Sequence, residues 1–314
     1  MLIDAHAHLW MRQNTTVDGQ AIRSSNPNGS RSEFFGQEVQ MLPPFMIDGH
    51  NTAEVFLSNM DYARVGGAVI VQEIIDGLQN NYLIEVQQKY PNRFFCYGMP
   101  ELRSDMQRKY GLGTAIEQTR QLLDLGFKGI ALPGHRLFAP GSGIDLNSPE
   151  MMDIYRLLES RGAFLSICLY DGDYHVGQMK EVIAECPELK IAIGHFGMVT
   201  VPGWMEQIKL ARHKNVYVES GGITWLFNAE FYPYPLAMQA IRAAADEVGI
   251  EKLMWGSDYP RTITAITYKM SYDFVLKSDL LTDDEKRLFL GDNAKKFYKF
   301  GNLQSLPYIK NMSE

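Results

Sequence analysis

The sequence predicts an α/β fold: a (β/α)8 TIM barrel, in a single domain with a long loop after the first strand. Three observations carry this expectation. Short apolar strands alternate with amphipathic helices eight times along the chain. The strands are near-continuous apolar runs, as expected where a parallel sheet is covered on both faces. The length of 314 residues suits one barrel of this type. A doubly wound open sheet is the other arrangement that such an alternation allows.

The first strand is Ile3-Asp4-Ala5-His6-Ala7-His8-Leu9-Trp10. Side chains alternate along a strand, so Asp4, His6 and His8 are expected on one face. In a barrel that face is the interior, and the two histidines fall at the C-terminal mouth, where barrel enzymes do chemistry. Together they can grip one metal ion or one substrate oxygen. Two chance histidines in a buried strand are the plain alternative, but the chain has only seven.

Residues 11–50 break the pattern. Gln13 to Arg31 is rich in Asn, Gly, Ser and Thr, and Met41-Leu42-Pro43-Pro44-Phe45 adds a proline-stiffened apolar patch. An insertion this long in a compact domain is usually functional or disordered. It is expected to be an active-site loop over the mouth of the first strand, a passive surface insertion being the alternative. Asn51-Thr52 then caps a helix running to Arg64.

A regular rhythm follows, taken here as strand and then helix. The pairs are 67–72 with 78–90, 93–98 with 113–125, 127–132 with 149–161, and 163–169 with 175–186. Next come 190–195 with 203–213 and 216–219 with 235–248. Strand 253–258 closes the series, followed by helical segments over 263–276 and 282–300. Gly126 and Gly162, just before strands, fit helix C-caps. No linker interrupts the series, so one domain over 1–314 is expected.

Composition narrows the function classes. The apolar fraction of 46% and charged fraction of 21% are those of a globular protein with a sizeable core. The net charge of −7, with no basic run, argues against nucleic acid or an anionic membrane as partner. Cys96, Cys168 and Cys186 are odd in number and form no CxxC, so neither a disulfide framework nor a cysteine zinc site is expected. The first strand begins at Leu2, no signal peptide is legible, and no apolar run is long enough to span a membrane. A cytoplasmic enzyme with a small-molecule substrate is the resulting expectation, and a homo-oligomer is compatible with it.

Polar residues gather at the strand ends: His6 and His8, Gln72 and Glu73, Glu101, His135, Asp171 and Asp173, His195, Glu219 and Asp258. Any one could be a helix cap or a solvated loop residue. Their recurrence on most strands suggests a polar pocket at one barrel mouth. The last strand, Leu253-Met254-Trp255-Gly256-Ser257-Asp258-Tyr259-Pro260, ends an apolar run in a carboxylate. In a barrel the closing strand neighbours the opening one, which brings Asp258 beside His6 and His8. Two imidazoles and a carboxylate form a typical set of ligands for Zn²⁺ or another borderline divalent ion. Without metal, the same trio can hold a water with Asp258 as general base. Arg23, Arg31 and Arg136 are candidate binders of a substrate carboxylate or hydroxyl, because a planar fork suits such groups. Gln72, His135 and Tyr259 are further substrate-binding candidates.

Four motifs in order carry a family resemblance: Asp-Ala-His-Ala-His on the first strand, Ile-Gly-His-Phe-Gly on the sixth, Trp-Gly-Ser-Asp-Tyr-Pro on the eighth, and a closing Asn293-Ala294-Lys295-Lys296-Phe297-Tyr298. Over nearly its whole length the chain resembles the amidohydrolase superfamily, in its amidohydrolase-related (amidohydrolase 2) branch. Val69-Ile70-Val71-Gln72, Asn80-Asn81-Tyr82-Leu83, Arg93-Phe94 and Gly126-Phe127-Lys128-Gly129-Ile130 are similar to the sugar-lactone and pyrone-dicarboxylate lactonase subgroup.

The resemblance implies roles. His6, His8 and Asp258 match metal ligands, Asp258 also matches the proton shuttle, and His195 matches the histidine that polarises substrate or orients water. The chain also departs from the pattern. The fifth strand reads Ile167-Cys168-Leu169-Tyr170-Asp171, without the histidine that metal-bearing relatives often carry there. Cys168 could stand in as a ligand, but a small core cysteine is the simpler reading. The fourth strand ends Ala131-Leu132-Pro133 with no bridging lysine or glutamate, and Lys128 comes too early. The expectation is therefore one divalent ion, Zn first and Mn second, or none. The expected function is a hydrolase of a small lactone or similar cyclic ester. A metal-dependent decarboxylase or hydratase of a small carboxylic acid is the alternative, and a barrel kept for binding or assembly is a third reading.

Overall fold

The protein is described by a computed structural model that covers residues 1–25, 30–46, 49–303 and 305–307. Residues 26–29 and 47–48 of the expected loop, and 304 and 308–314 of the expected domain, lie outside the described residues. The fold is mixed α/β with parallel sheets.

Eight parallel strands form its centre. A three-stranded sheet pairs β1 (Leu2–Ala7), β6 (Val65–Ile70) and β7 (Phe94–Cys96) in that order. A five-stranded sheet runs from β8 (Gly129–Leu132) through β9 (Phe164–Ile167), β10 (Lys190–Ile193) and β11 (Val216–Glu219) to β12 (Leu253–Met254). Backbone hydrogen bonds also link the two sheets. Gly98 N–H donates to Gly129 O and Ala131 N–H to Gly98 O, beside β7 and β8. Ala5 N–H donates to Trp255 O, Asp258 N–H to His6 O and His8 N–H to Tyr259 O, beside β1 and β12.

Burial explains why the strands read as apolar runs. β6, β8, β9 and β11 are buried at every position. One face of all eight strands feeds a single cluster: Ile3, Val69, Phe95, Ala131, Phe164, Ala192, Tyr217 and Met254. Ala294, Phe297 and Tyr298 of the C-terminal segment complete it. Phe300 and Leu303 press on Gly67 near the start of β6, so this segment sits at the N-terminal ends of the strands and leaves the C-terminal ends free. The helices cover the opposite faces, packed through a much larger apolar cluster.

The helices start where the sequence supplies caps. Thr52 accepts from Val55 N–H at the head of α1 (Ala53–Tyr62), and Thr114 with Glu117 forms a capping box on α4 (Ala115–Asp124). Ser148 and Pro149 open α6 (Pro149–Ser160). The expected helices 78–90, 175–186 and 235–248 are α2 (Asn80–Lys89), α7 (Val176–Glu185) and α10 (Pro235–Val248). Three short helices were not expected: α3 (Ser104–Tyr110), α5 (Gly134–Leu137) and α9 (Ile223–Leu226). The segment 203–213 is shortened to α8 (Trp204–Lys209) with a 3-10 turn after it. The last two helical segments become α11 (Met270–Lys277), α12 (Asp283–Arg287) and α13 (Asn293–Phe297), with a π-helical turn over 288–292 joining the last two. Among the described residues, no helix is long and apolar enough to cross a membrane.

Two expectations are corrected here. The segment expected as a loop over 11–50 carries a four-stranded antiparallel sheet: β2 (Asn14–Val17), β3 (Gln20–Ser24), β4 (Arg31–Phe34) and β5 (Gln37–Gln40). Asp18-Gly19 and Phe35-Gly36 turn two of its hairpins, each residue with φ between 50° and 76°. Such left-handed pairs match the twist of the flanking strands, and Asp-Gly is a local signal for the turn. The second correction concerns β1. The β1–β6 register shifts between Asp4 and Ala7. Ile3 and Ala5 lie in the inner cluster, but Ala7 lies with the outer one. The irregularity breaks strict alternation, so Asp4 does not share the face of His6 and His8. Instead its carboxylate accepts from Ser257 N–H, Ser257 Oγ, Tyr268 OH and His6 N–H, bracing β1 against the chain after β12.

Candidate active site

The C-terminal ends of the strands bring His6, His8 and Asp258 together. His6 Nε2 lies 3.1 Å from His8 Nε2 and 3.7 Å from Asp258 Oδ1, and His8 Nε2 lies 2.9 Å from the same oxygen. All three are almost fully buried. His6 ends in a contact with Glu219, the last residue of β11, whose Oε1 is 2.6 Å from His6 Nδ1. The Nδ1 atom of His8 faces Asp76 Oδ2 at 3.7 Å. Asp76 is itself held by Arg261 Nη2, which donates to both carboxylate oxygens at 2.8 and 2.9 Å, and by Gln13 Nε2. Ser32 of β4 donates to Gln13 Oε1, so the antiparallel sheet is tied to this wall of the site.

His195 follows β10, with its ring centroid 4.7 Å from that of His6. Its Nδ1 lies 2.9 Å from Gly221 O, and a carbonyl only accepts, so Nδ1 carries the proton and Nε2 is a bare acceptor. His195 and Asp258 both have left-handed backbone, at φ 55° and 59°. For residues with a Cβ this costs free energy, and such strain is concentrated at functional sites.

Burial sets the charges. It lowers the pKa of His6 to about 4, and it also lowers those of His8 and His195. Burial works against ionisation of Asp258 too, but the hydrogen bond with His8 and the nearby Arg261 hold its carboxyl well below the usual range. Trp225 Nε1–H donates to Asp258 Oδ2 at 2.7 Å. The centre is thus a carboxylate beside neutral imidazoles. Such a donor set suits a divalent cation or a polarised water. Among the described residues, His6, His8 and Asp258 are the one group of this kind with metal-ligand spacing.

The trio opens onto a cleft of about 360 Å³ lined by His8, Glu73, Ile75, His135, Arg136, His195, Met198, Trp225, Asp258 and Arg261. Ile75, Met198 and Trp225 supply apolar walls. Glu73 lies 3.3 Å from His135 Nε2 and 3.4 Å from Arg136 Nε. Burial pushes Glu73 up to about 7 against the pull of the two arginines. Arg261 Nη1, Arg136 Nε and His135 Nδ1 are buried without a hydrogen-bond partner.

Of the residues singled out in the sequence, the structure brings His6, His8, His135, Arg136, His195 and Asp258 to this cleft. Four others do not line this cleft. Gln72 borders a small space behind His6, His8 and His195, with its amide engaged by Asn80, Tyr97 O and Gln79 N–H. Tyr259 is fully buried and stacked on Phe56 at 4.0 Å. Arg23 and Arg31 lie in the antiparallel sheet, paired with Glu33 and Glu38 and exposed. Cys168 is buried against the Gly194 backbone, and burial pushes its thiol pKa up. Glu73, Asp76, Glu219, Trp225 and Arg261 also belong to the site or brace it, with no role legible in the sequence. Glu73 and Glu219 stood out only as charges at strand ends; Arg261 carried no signal of its own beyond following Asp258 by three residues.

A family model described as Amidohydrolase matches residues 3–300. Among curated proteins, no sequence matches the chain. Solved structures are similar in fold. One is a probable 2-pyrone-4,6-dicarboxylic acid hydrolase from Acinetobacter baumannii with citric acid bound, 20% identical, covering 95% of this chain and 99% of that one at TM-score 0.67. A Burkholderia multivorans amidohydrolase with bound zinc is 14% identical, covering 95% and 99% at TM-score 0.63. A Novosphingobium aromaticivorans 5-carboxyvanillate decarboxylase with bound manganese is 17% identical, covering 79% and 81% at TM-score 0.53.

Proposed function

This chain belongs to the amidohydrolase family, and from that premise we propose that it is a hydrolase of a small lactone or similar cyclic ester. The observation that carries the reading is the convergence of His6 Nε2, His8 Nε2 and Asp258 Oδ1 on one point at the wall of the cleft. We take the eight parallel strands as a (β/α)8 barrel and the chain as one domain. The backbone bonds beside β7 and β8, and beside β1 and β12, support this.

In this mechanism Asp258 accepts a proton from water, and the resulting hydroxide attacks the ester carbonyl. Trp225 holds the other oxygen of the carboxylate, so Oδ1 is the working base. His195 Nε2 orients the water as an acceptor. Protonated Asp258 then returns the proton to the leaving alkoxide. His6, His8 and Asp258 would hold one divalent ion, Zn²⁺ before Mn²⁺, which when bound lowers the pKa of the water and polarises the carbonyl. A relative of this fold carries zinc and another carries manganese. Arg136 and Arg261, which line the cleft with part-exposed side chains, would bind a substrate carboxylate.

A panel of lactones, including sugar lactones and 2-pyrone-4,6-dicarboxylate, tests the reading by acid release in weakly buffered solution. Ring opening of at least one member is expected. Carbon dioxide release from a small aromatic acid, without any lactone hydrolysis, would replace this reading with the decarboxylase alternative, which the likeness to a decarboxylase keeps in view.

A further inference from the structure

Glu219 occupies a seat built from three strand ends. A Cβ at Gly194, Gly221 or Gly256, which follow β10, β11 and β12, would come within 2.8 Å of one of its carboxylate oxygens. That is closer than side-chain carbons approach, so the seat requires bare backbone at all three positions. The side chain is 2% exposed, and burial pushes its pKa up to about 7, against the pull of its backbone donors. Oε2 accepts the Gly221 N–H, and Oε1 accepts the His195 N–H at 3.3 Å. Both backbone neighbours are donors and favour the ionised form, which at 2.6 Å accepts from His6 Nδ1 as well.

We propose that Glu219 is the positioning residue of the site, fixing His6 as the Nδ1–H tautomer and seating His195 through its backbone. The consequence at His6 is direct. With the proton on Nδ1, the Nε2 atom that faces His8 and Asp258 carries a lone pair. At His195 the same carboxylate fixes the loop from both sides. It takes the His195 N–H and the Gly221 N–H, while Gly221 O takes His195 Nδ1–H. Both imidazoles therefore present Nε2 as an acceptor. A carboxylate on the remote nitrogen of a ligating histidine sets ring orientation and basicity, and its loss typically weakens metal binding about 10–100-fold. The effect on metal affinity rests on the reading of the trio given above; the tautomer does not.

Two measurements test this. In metal-free wild-type protein labelled with ¹⁵N-histidine, long-range proton–nitrogen correlation spectra should show His6 and His195 protonated on Nδ1 and bare on Nε2. Assignment would use single-histidine replacements. Separately, Zn²⁺ competition against a chromophoric chelator should give an affinity about 10–100-fold weaker for Glu219→Gln than for wild type. A proton on Nε2 of His6, or an unchanged Zn²⁺ affinity in a folded Glu219→Gln, overturns the proposal. If that variant does not fold, the wild-type spectra decide alone. If wild-type protein binds no Zn²⁺, the metal reading fails, and the spectra still decide the role of Glu219.

Discussion

Trp225 donates its indole N–H to Asp258 Oδ2 at 2.7 Å, while Oδ1 of the same carboxylate lies 2.9 Å from His8 Nε2. One oxygen is anchored and the other faces the histidines. Trp225→Phe keeps an apolar ring in the wall and removes the anchor. A hydrogen bond to a charged group is worth roughly 1.5–3 kcal/mol. The expected loss in kcat is therefore about 10–100-fold, with the fold intact. Steady-state kinetics on whichever lactone the wild type opens check this, and an unchanged kcat would remove Trp225 from the mechanism.

Asp258→Asn replaces the proposed proton acceptor with an amide that cannot take a proton at neutral pH. Turnover should fall at least on the order of a hundredfold while circular dichroism stays as in wild type. A variant retaining most of its activity would mean that another group moves the proton.

Metal content is the third expectation. His6, His8 and Asp258 supply three ligand atoms, enough for one open site. Elemental analysis of freshly purified protein should find at most one divalent ion per chain, lost readily to a chelator. Two ions would reveal a bridging ligand beyond these three. Full lactone turnover after complete chelation would leave Asp258 and the histidines working as an organic acid–base site.

Arg261 and Asp76 form a buried ion pair behind His8, with side chains 20% and 3% exposed. Arg261→Met would strand the Asp76 charge. Breaking a buried pair from one side typically costs about 3–5 kcal/mol. Denaturant unfolding should show a loss of that order, and adding Asp76→Asn should recover much of it. If the double variant is no more stable than the single one, the charge on Asp76 is not what Arg261 compensates.

Glu73 gives a pH prediction. Burial raises its pKa from 4.5 to about 7, so the folded chain binds its proton more tightly than the unfolded chain does. Its contribution to stability is complete below about 4.5 and is lost as pH rises through about 7. Glu73→Gln has no such loss. Its melting temperature should gain on wild type as pH is raised from about 5 to about 8. A gap between the two proteins that does not change across that range would show that Glu73 is ionised throughout.

The sequence by itself determined the alternation of strands and helices, because burial on both faces writes an apolar run that needs no partner to be read. It also determined that His6, His8, His195 and Asp258 stand at strand ends, each within its own local motif. The hairpins of the antiparallel sheet were partly legible in Asp18-Gly19, but their strands are short and polar, so periodicity carried little signal. The direction of Asp4 was not legible. It depends on a register shift against β6, and register is a property of two strands, not one. Tertiary structure alone decided which polar ends meet. Glu219 reaches His6 across 213 positions and Asp258 reaches His8 across 250, while Gln72 and Tyr259, equally polar in the sequence, turn into the scaffold. Side-chain patterns report how a segment is buried. Only the hydrogen-bond register across the strands, with the bare backbone at Gly194, Gly221 and Gly256, decides which buried groups share a pocket.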